Sequence, residues 1–312
     1  MDWIGALFLM ALASNFIQTA RNYLVMIKFS HSIFALPFAG IGIIEVLNWD
    51  GFQVPGTAAL VHRILACLIC MVSLRSAAMG FNRIVDRRYD AANPRTASRE
   101  IPAGTIPLKS AIIFTVLGLA VFVVAAFSMG LVVGYLSFAA IVFVLGYSLT
   151  KRFTSLCHYF LGLAIGLVPS AVWIAFSGSL DWIAVYWSLG LALYIAGFDI
   201  IYSCQDVDFD QSQGLHSLPG AMGIKNALWM ARLSHVMALA CFGRAGLEAQ
   251  NGWLFYIGLI AVAALFFYEH YLVRDGGEEN IPLAFFNVNA WVSSLLFVIL
   301  LADRWIHLPT ML

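Results

Sequence analysis

Recurring apolar stretches, each long enough to cross a bilayer, constrain this chain more than any other feature. A transmembrane helix needs ~20 predominantly apolar residues. Stretches of that kind fall at about 28–48, 55–80, 110–128, 131–149, 156–177, 181–204, 226–245, 252–273 and 284–303, each bounded by turn-forming or charged residues. Of 312 residues, 62% are hydrophobic and 11% charged, against about 25% charged in an ordinary soluble domain. A soluble globule of this composition would expose apolar surface almost everywhere. Net charge is zero, from 17 basic and 17 acidic residues, so the basic excess of a nucleic-acid binder is missing. Disorder requires low hydrophobicity and is excluded as well. The expected fold is an all-α polytopic membrane bundle of about nine helices.

Ahead of the first span, Trp3 to Ala13 is apolar, with Asp2 before it and Arg21 after it. That order is the reverse of a cleavable signal. Residues 1–23 are read as an uncleaved N-terminal membrane-surface helix, and 24–312 as the transmembrane domain. Cys67, Cys70, Cys157, Cys204 and Cys241 lie in or beside apolar segments, so they imply no disulfide framework. Trp3, Trp49, Trp182, Trp187, Trp253 and Trp305 fall near span ends, as an aromatic belt does.

The few charges are unevenly placed. Alternating the loops from side to side puts 14 of the 17 basic residues on or toward one face, all but Arg63, Arg244 and Arg304. By the positive-inside rule that face is cytoplasmic, and the absence of a transit-peptide composition favours a prokaryotic plasma membrane. Six aspartates break the pattern by joining the basic side, in two short segments. The first runs from Asn82 through Asp86 to Asp90, spaced i, i+4, i+8, one face of a helix continuing from span two. The second holds Asp199, Tyr202, Ser203, Asp206, Asp208 and Asp210, with 199, 203, 206 and 210 sharing a helical face. Carboxylates one turn apart repel unless a cation intervenes. Oxygen ligands without Cys or His select Mg²⁺ or Mn²⁺, and Mg²⁺ favours one or two carboxylates plus substrate phosphates. Two such faces opposed across a bundle suit a metal-gripped diphosphate. Arg87, Arg88, Arg95, Arg99 and the Lys151-Arg152 pair stand nearby to neutralise remaining oxygens.

Three motifs resemble one known family. Asn82-x-x-x-Asp86-x-x-x-Asp90 followed by Arg95-Thr-Ala-Ser-Arg99, the Asp199-x-x-Tyr202-x-x-x-Asp206-x-x-x-Asp210 pattern, and Tyr147-x-x-x-Lys151-Arg152-x-Thr are similar to the signatures of the UbiA superfamily of intramembrane prenyltransferases. The likeness spans residues 24–305 and is strongest to prokaryotic 4-hydroxybenzoate polyprenyltransferases. It departs from the family at Arg83, where an acid often follows the motif asparagine, and at Ser212 and His216, where many members carry lysine.

The resemblance implies a helical bundle around a central cavity. It also implies a Mg²⁺-dependent enzyme moving a polyprenyl chain from its diphosphate to an aromatic acid in quinone biosynthesis, with a dihydroxynaphthoate acceptor of menaquinone biosynthesis as the alternative. Metal ligands for two Mg²⁺ would be Asn82, Asp86, Asp90, Asp199, Asp206 and Asp210. Arg95, Arg99 and Lys151 would donate to the diphosphate, and Tyr147 and Tyr202 would orient the acceptor. Asp86 and Asp206 would be essential, and Asp199 would be either a metal ligand or the base that takes the ring proton. Arg75 either pairs with the acceptor carboxylate or snorkels to the interface. The polyprenyl tail and the surrounding lipid account for residence in a bilayer, and no nucleic-acid partner is expected. His31 and His158 read as satisfied core residues, and Glu269-His270 as an interfacial cap. A cation-coupled transporter is the remaining rival, because intramembrane acids also mark ion pathways.

Overall fold

The computed structural model describes residues 18–28, 35–274, 281 and 288–307, and it has helices and no strands among them. Much of the expected surface helix, and His31, lie outside the described residues; α1 covers 18–26. The long helices are α2 (Leu36–Leu47), α3 (Thr57–Ala92), α4 (Leu108–Ser128), α5 (Leu131–Thr150), α6 (Cys157–Ser177) and α7 (Trp182–Ser203), then α10 (Ile224–Glu248), α11 (Trp253–Leu272) and α12 (Asn289–His307). Between α7 and α10 lie a 3₁₀ turn (Cys204–Asp206), α8 (Val207–Ser212) and α9 (Leu218–Met222). Each of the nine expected spans overlaps one of these helices among the described residues. Among the described residues, seven helical stretches are long and apolar enough to cross a membrane, the Trp182–Ser212 stretch counted as one. Helix α10 is long but carries Lys225, Arg232 and Arg244, and the described α2 has 12 residues.

Local chemistry sets the helix ends. Pro37 opens α2 within its first two positions, where a missing N–H costs nothing. The Asp181 side chain caps α7 by accepting from the Ile183 amide at 2.8 Å. Gly130, at φ 136°, makes the turn of the α4–α5 hairpin, a backbone that only glycine adopts freely. Helices α6 and α7 approach closely because Gly162 and Gly166 face α7. A Cβ on Gly162 would sit 2.2 Å from the Ala192 carbonyl oxygen. Pro169 interrupts the α6 ladder, and the Ser170 amide donates instead to Ser188 Oγ at 3.0 Å. Phe38, Trp187, Tyr194, Phe242 and Phe255 form a fully buried aromatic core at the meeting of α2, α7, α10 and α11.

Two expectations change here. Trp187 is completely buried and donates to Glu45, so it is a core residue and not part of the belt; Trp182, Trp253 and Trp305 remain exposed. Glu269 is also fully buried rather than an interfacial cap, because the Asn289 side-chain amide, 3.0 Å away, holds it inside the bundle.

Helix α3 matters most for the site. Its 36 residues span roughly 54 Å at 1.5 Å per residue, against a hydrocarbon core of about 30 Å. The last turns therefore project past the apolar layer, and they carry Asn82, Asp86 and Asp90.

Candidate active site

A cavity of about 240 Å³ opens at this projecting end, lined from α3, the 93–99 segment, the C-terminal end of α5, the start of α6, and α7 with its continuation. It brings together Asn82, Asp86, Asp90, Arg95, Arg99, Tyr147, Lys151, Asp199, Tyr202, Asp206 and Asp210. Arg75 is not among the lining residues. Its guanidinium donates to the carbonyls of Ile27 and Lys28 at 3.1 and 2.9 Å. Asp208 is exposed and is not among the residues lining the cavity.

The second acidic segment is not one continuous helix. The helix tightens at Cys204–Asp206 and restarts at Val207, yet Asp199, Ser203, Asp206 and Asp210 still line the same cavity. Asp206 faces the opposite wall, where Arg95 meets it with Nε at 3.0 Å and Nη2 at 2.5 Å. This two-pronged geometry is the strong form of an arginine–carboxylate pair. Arg95 Nη1 also donates to the Tyr202 hydroxyl at 2.9 Å.

A cationic side chain or a histidine faces each of the five cavity aspartates. Arg99 reaches Asp90 at 2.6 Å, with buried Arg83 3.9 Å from the other oxygen. Arg83, the departure from the family pattern, is thus part of the acid's surroundings. Arg152 reaches Asp86 at 3.1 Å, Lys151 reaches Asp210 at 3.3 Å, and His158 lies 2.7 Å from Asp199. Burial works against the charge of Lys151, but the Asp210 and Asp86 carboxylates outweigh it and hold its pKa above the ordinary lysine value. Burial likewise opposes the Arg95 charge, and the hydrogen bonds to Asp206 reverse the balance, raising its pKa.

The donor chemistry fits a hard divalent cation. Asn82 gives its amide nitrogen to Asp86 Oδ2 at 3.0 Å, which leaves its carbonyl oxygen as a ligand. Asp90 Oδ2 is buried without a hydrogen-bond partner. Among the described residues, no three His, Cys, Asp or Glu side chains are closed around a common point, so Mg²⁺ binding would draw carboxylates off their protein cations. Those cations would then face a diphosphate.

Among the lining residues not expected at the site, three bear on its geometry. Asn93 accepts from the Arg95 amide at 2.9 Å and sits 3.5 Å from Asp206. It sets the turn that aims Arg95. Ser148 places a buried hydroxyl beside Tyr147. His158 is no ordinary core histidine, because it touches Asp199. Its place in the first turn of the span that follows the Lys151 motif was the available signal.

Comparison with known proteins follows the same lines. A sequence model described as the UbiA prenyltransferase family matches residues 51–295. A 4-hydroxybenzoate octaprenyltransferase of Vibrio vulnificus is 32% identical over 245 residues, covering 78% of this chain and 85% of that protein. Its counterpart in Shewanella loihica is 30% identical over 253 residues, covering 77% and 83%. The apo structure of a UbiA homolog from Aeropyrum pernix K1 superposes with a TM-score of 0.78 at 28% identity, covering 88% of this chain and 98% of that one. A homolog from Archaeoglobus fulgidus bound to DMAPP and Mg²⁺ shares the fold, with a TM-score of 0.65 at 14% identity over 89% and 99%.

Proposed function

This chain belongs to the UbiA prenyltransferase family, and on that premise we propose that it transfers a polyprenyl chain from its diphosphate to an aromatic acid, 4-hydroxybenzoate. The observation that carries the reading is one cavity walled by five aspartates, each facing a cation or a histidine, at the end of an apolar bundle. The curated relatives supply the acceptor. Asn82, Asp86, Asp90, Asp206 and Asp210 would hold Mg²⁺, with Asp199 lining the same cavity. When bound, the metal supplies Lewis-acid stabilisation of the negative charge on the leaving diphosphate.

The chain's own residues do the rest. Arg95, Arg99 and Lys151 transfer from their carboxylates to the diphosphate oxygens and fix its orientation. Tyr147 and Tyr202 border the space where the acceptor ring sits. The allylic C–O bond breaks, a ring carbon forms the new C–C bond, and the proton lost from that carbon passes to the Asp199 carboxylate. The apolar bundle keeps water from the electron-deficient chain. The positive-inside distribution supports an active site facing the cytoplasm of a prokaryotic cell, in its plasma membrane.

The test is an assay of membranes with radiolabelled polyprenyl diphosphate and Mg²⁺, offering 4-hydroxybenzoate and a dihydroxynaphthoate in parallel. Label is expected in 4-hydroxybenzoate, and removal of Mg²⁺ with a chelator should abolish it. Label only in dihydroxynaphthoate would move the acceptor to the menaquinone class. Ion flux in liposomes without prenyl turnover would replace the reading with transport.

A further inference from the structure

We propose that His158 is a positioning residue that sets which oxygen of Asp199 is presented to the cavity and couples it to the strap of residues 213–218; this rests on the prenyl-transfer reading above. The starting observation is a histidine side chain only 4% exposed, with both ring nitrogens in contact with polar groups. Nε2 lies 3.3 Å from the backbone amide of Leu218. A backbone N–H can only donate, so Nε2 carries the lone pair. The ring proton therefore sits on Nδ1. The 2.7 Å contact from Nδ1 to Asp199 Oδ2 is a donation to the carboxylate. Ser203 Oγ, 3.5 Å from Nε2, spends its own proton on the Ile200 carbonyl at 2.8 Å and does not compete with Leu218 as a donor.

The geometry links three elements. The donated proton ties Asp199 Oδ2 to α6, which leaves Oδ1 as the oxygen available to substrate. The strap is docked at three further points. The Leu215 amide donates to the Asp210 carbonyl at 2.8 Å and the His216 amide to the Lys151 carbonyl at 2.7 Å, while Cys157 Sγ approaches the His216 carbonyl at 3.5 Å. His216 and Ser217 of the strap line the cavity. One imidazole thus joins the wall over the diphosphate end to the carboxylate at the ring end. Partners that orient a functional carboxylate are typically worth 10–100-fold in activity.

The two contacts can be removed separately. His158→Asn keeps a donor near the Nδ1 position and loses the acceptor for Leu218. His158→Gln reaches the Nε2 position and loses the donation to Asp199. With purified protein, Mg²⁺, polyprenyl diphosphate and 4-hydroxybenzoate, the Gln variant should lose roughly 10–100-fold in kcat with KM for the diphosphate near wild type. The Asn variant should hold kcat within about threefold and raise that KM. A uniform loss of both parameters in both variants would overturn the proposal, since a merely structural histidine gives that result.

A second readout needs no activity. In wild-type protein labelled with ¹⁵N-histidine, the signal removed by His158→Asn should be a neutral imidazole protonated at Nδ1, the tautomer free histidine disfavours. A neutral Nε2–H signal or a doubly protonated ring would overturn the assignment. Absence of prenyl transfer by the wild type would defeat the functional reading and leave this signature standing, so the two failures are distinguishable.

Discussion

The two ends of the bundle both bury acids against arginines, and they do so differently. At the end opposite the cavity, Glu45 accepts from Trp187 Nε1 at 3.1 Å, Asn251 Nδ2 at 3.0 Å and Arg304 Nη2 at 2.7 Å. Arg304 also donates to the Ala249 carbonyl at 2.8 Å, and the neighbouring Asp303 accepts the amides of Gly252 and Phe255 at 2.7 and 3.2 Å. The Glu45 side chain is wholly inaccessible. Such a closed cluster fastens α2, α7, α12 and the α10–α11 connection, and both Glu45 oxygens are taken by protein donors. At the cavity end, each acid touches a cation or histidine on the wall of an open cavity, and Asp206 and Asp199 keep 17% and 23% of their side chains exposed. Pairs of that kind can be exchanged for a metal and a diphosphate. On the proposed reading, the same residue types serve structure at one end and chemistry at the other, and what separates the two roles is whether the acids open onto a cavity.

Breaking each end should produce opposite signatures. Asp86→Ala or Asp206→Ala should remove prenyl transfer by on the order of a thousandfold, the upper range for a group that stabilises transition-state charge. The melting temperature in detergent should hardly move, since the freed Arg152 or Arg95 is about one-third exposed and can rehydrate. Retained Mg²⁺-dependent turnover in either variant would end the assignment of these faces as the metal site. Glu45→Ala should do the reverse. It strands a largely buried arginine, and removing one partner of a buried pair costs about 3–5 kcal/mol of stability. Reduced yield and a lower unfolding midpoint are expected, with kcat of the folded fraction preserved. A selective loss of kcat at normal stability would mean that the two ends are not functionally distinct.

The cavity end was largely legible in the sequence, and the closed end was not, for a physical reason. Asn82, Asp86 and Asp90 stand out because an amide and two acids spaced i, i+4, i+8 at the end of an apolar run are costly unless they bind something, and α3 does continue as one helix to Ala92. Asp199 to Asp210 were equally visible, but the 3₁₀ turn at Cys204–Asp206 was not. Helical periodicity assumes a continuous axis, and nothing local in Cys-Gln-Asp signals a break. Glu45 is a single acid in an apolar span whose partners lie 142, 206 and 259 residues away. Pairing across such separations is set by tertiary packing, which no local pattern encodes. His158 was discounted for the same reason, since its partners Asp199 and Leu218 come from later elements. Arg75 shows the converse. It was visible as an intramembrane charge, and its use on two backbone carbonyls emerges only from the fold.

Lys151 gives the mildest test of the comparison, because it belongs to the exchangeable end yet also contributes to folding. Lys151→Met removes one charge-assisted contact of about 1.5–3 kcal/mol. If that contact passes to the diphosphate, KM for the polyprenyl diphosphate should rise at least tenfold, with kcat less affected. The same lysine has a small effect on stability whose sign follows from its surroundings. Its pKa is raised above the ordinary 10.5 by Asp210 and Asp86 against the opposing effect of burial. The folded state thus holds this proton more tightly than the unfolded chain does. The resulting stabilisation is fully present below pH 10.5 and disappears as the pH rises through the higher folded value. Unfolding midpoints of the wild type in detergent should therefore lose this alkaline component above pH 10.5, and the Met variant should lack it. An unchanged KM in the variant would assign Lys151 to the structural kind of pair seen around Glu45, held by Asp210 whether or not substrate is present.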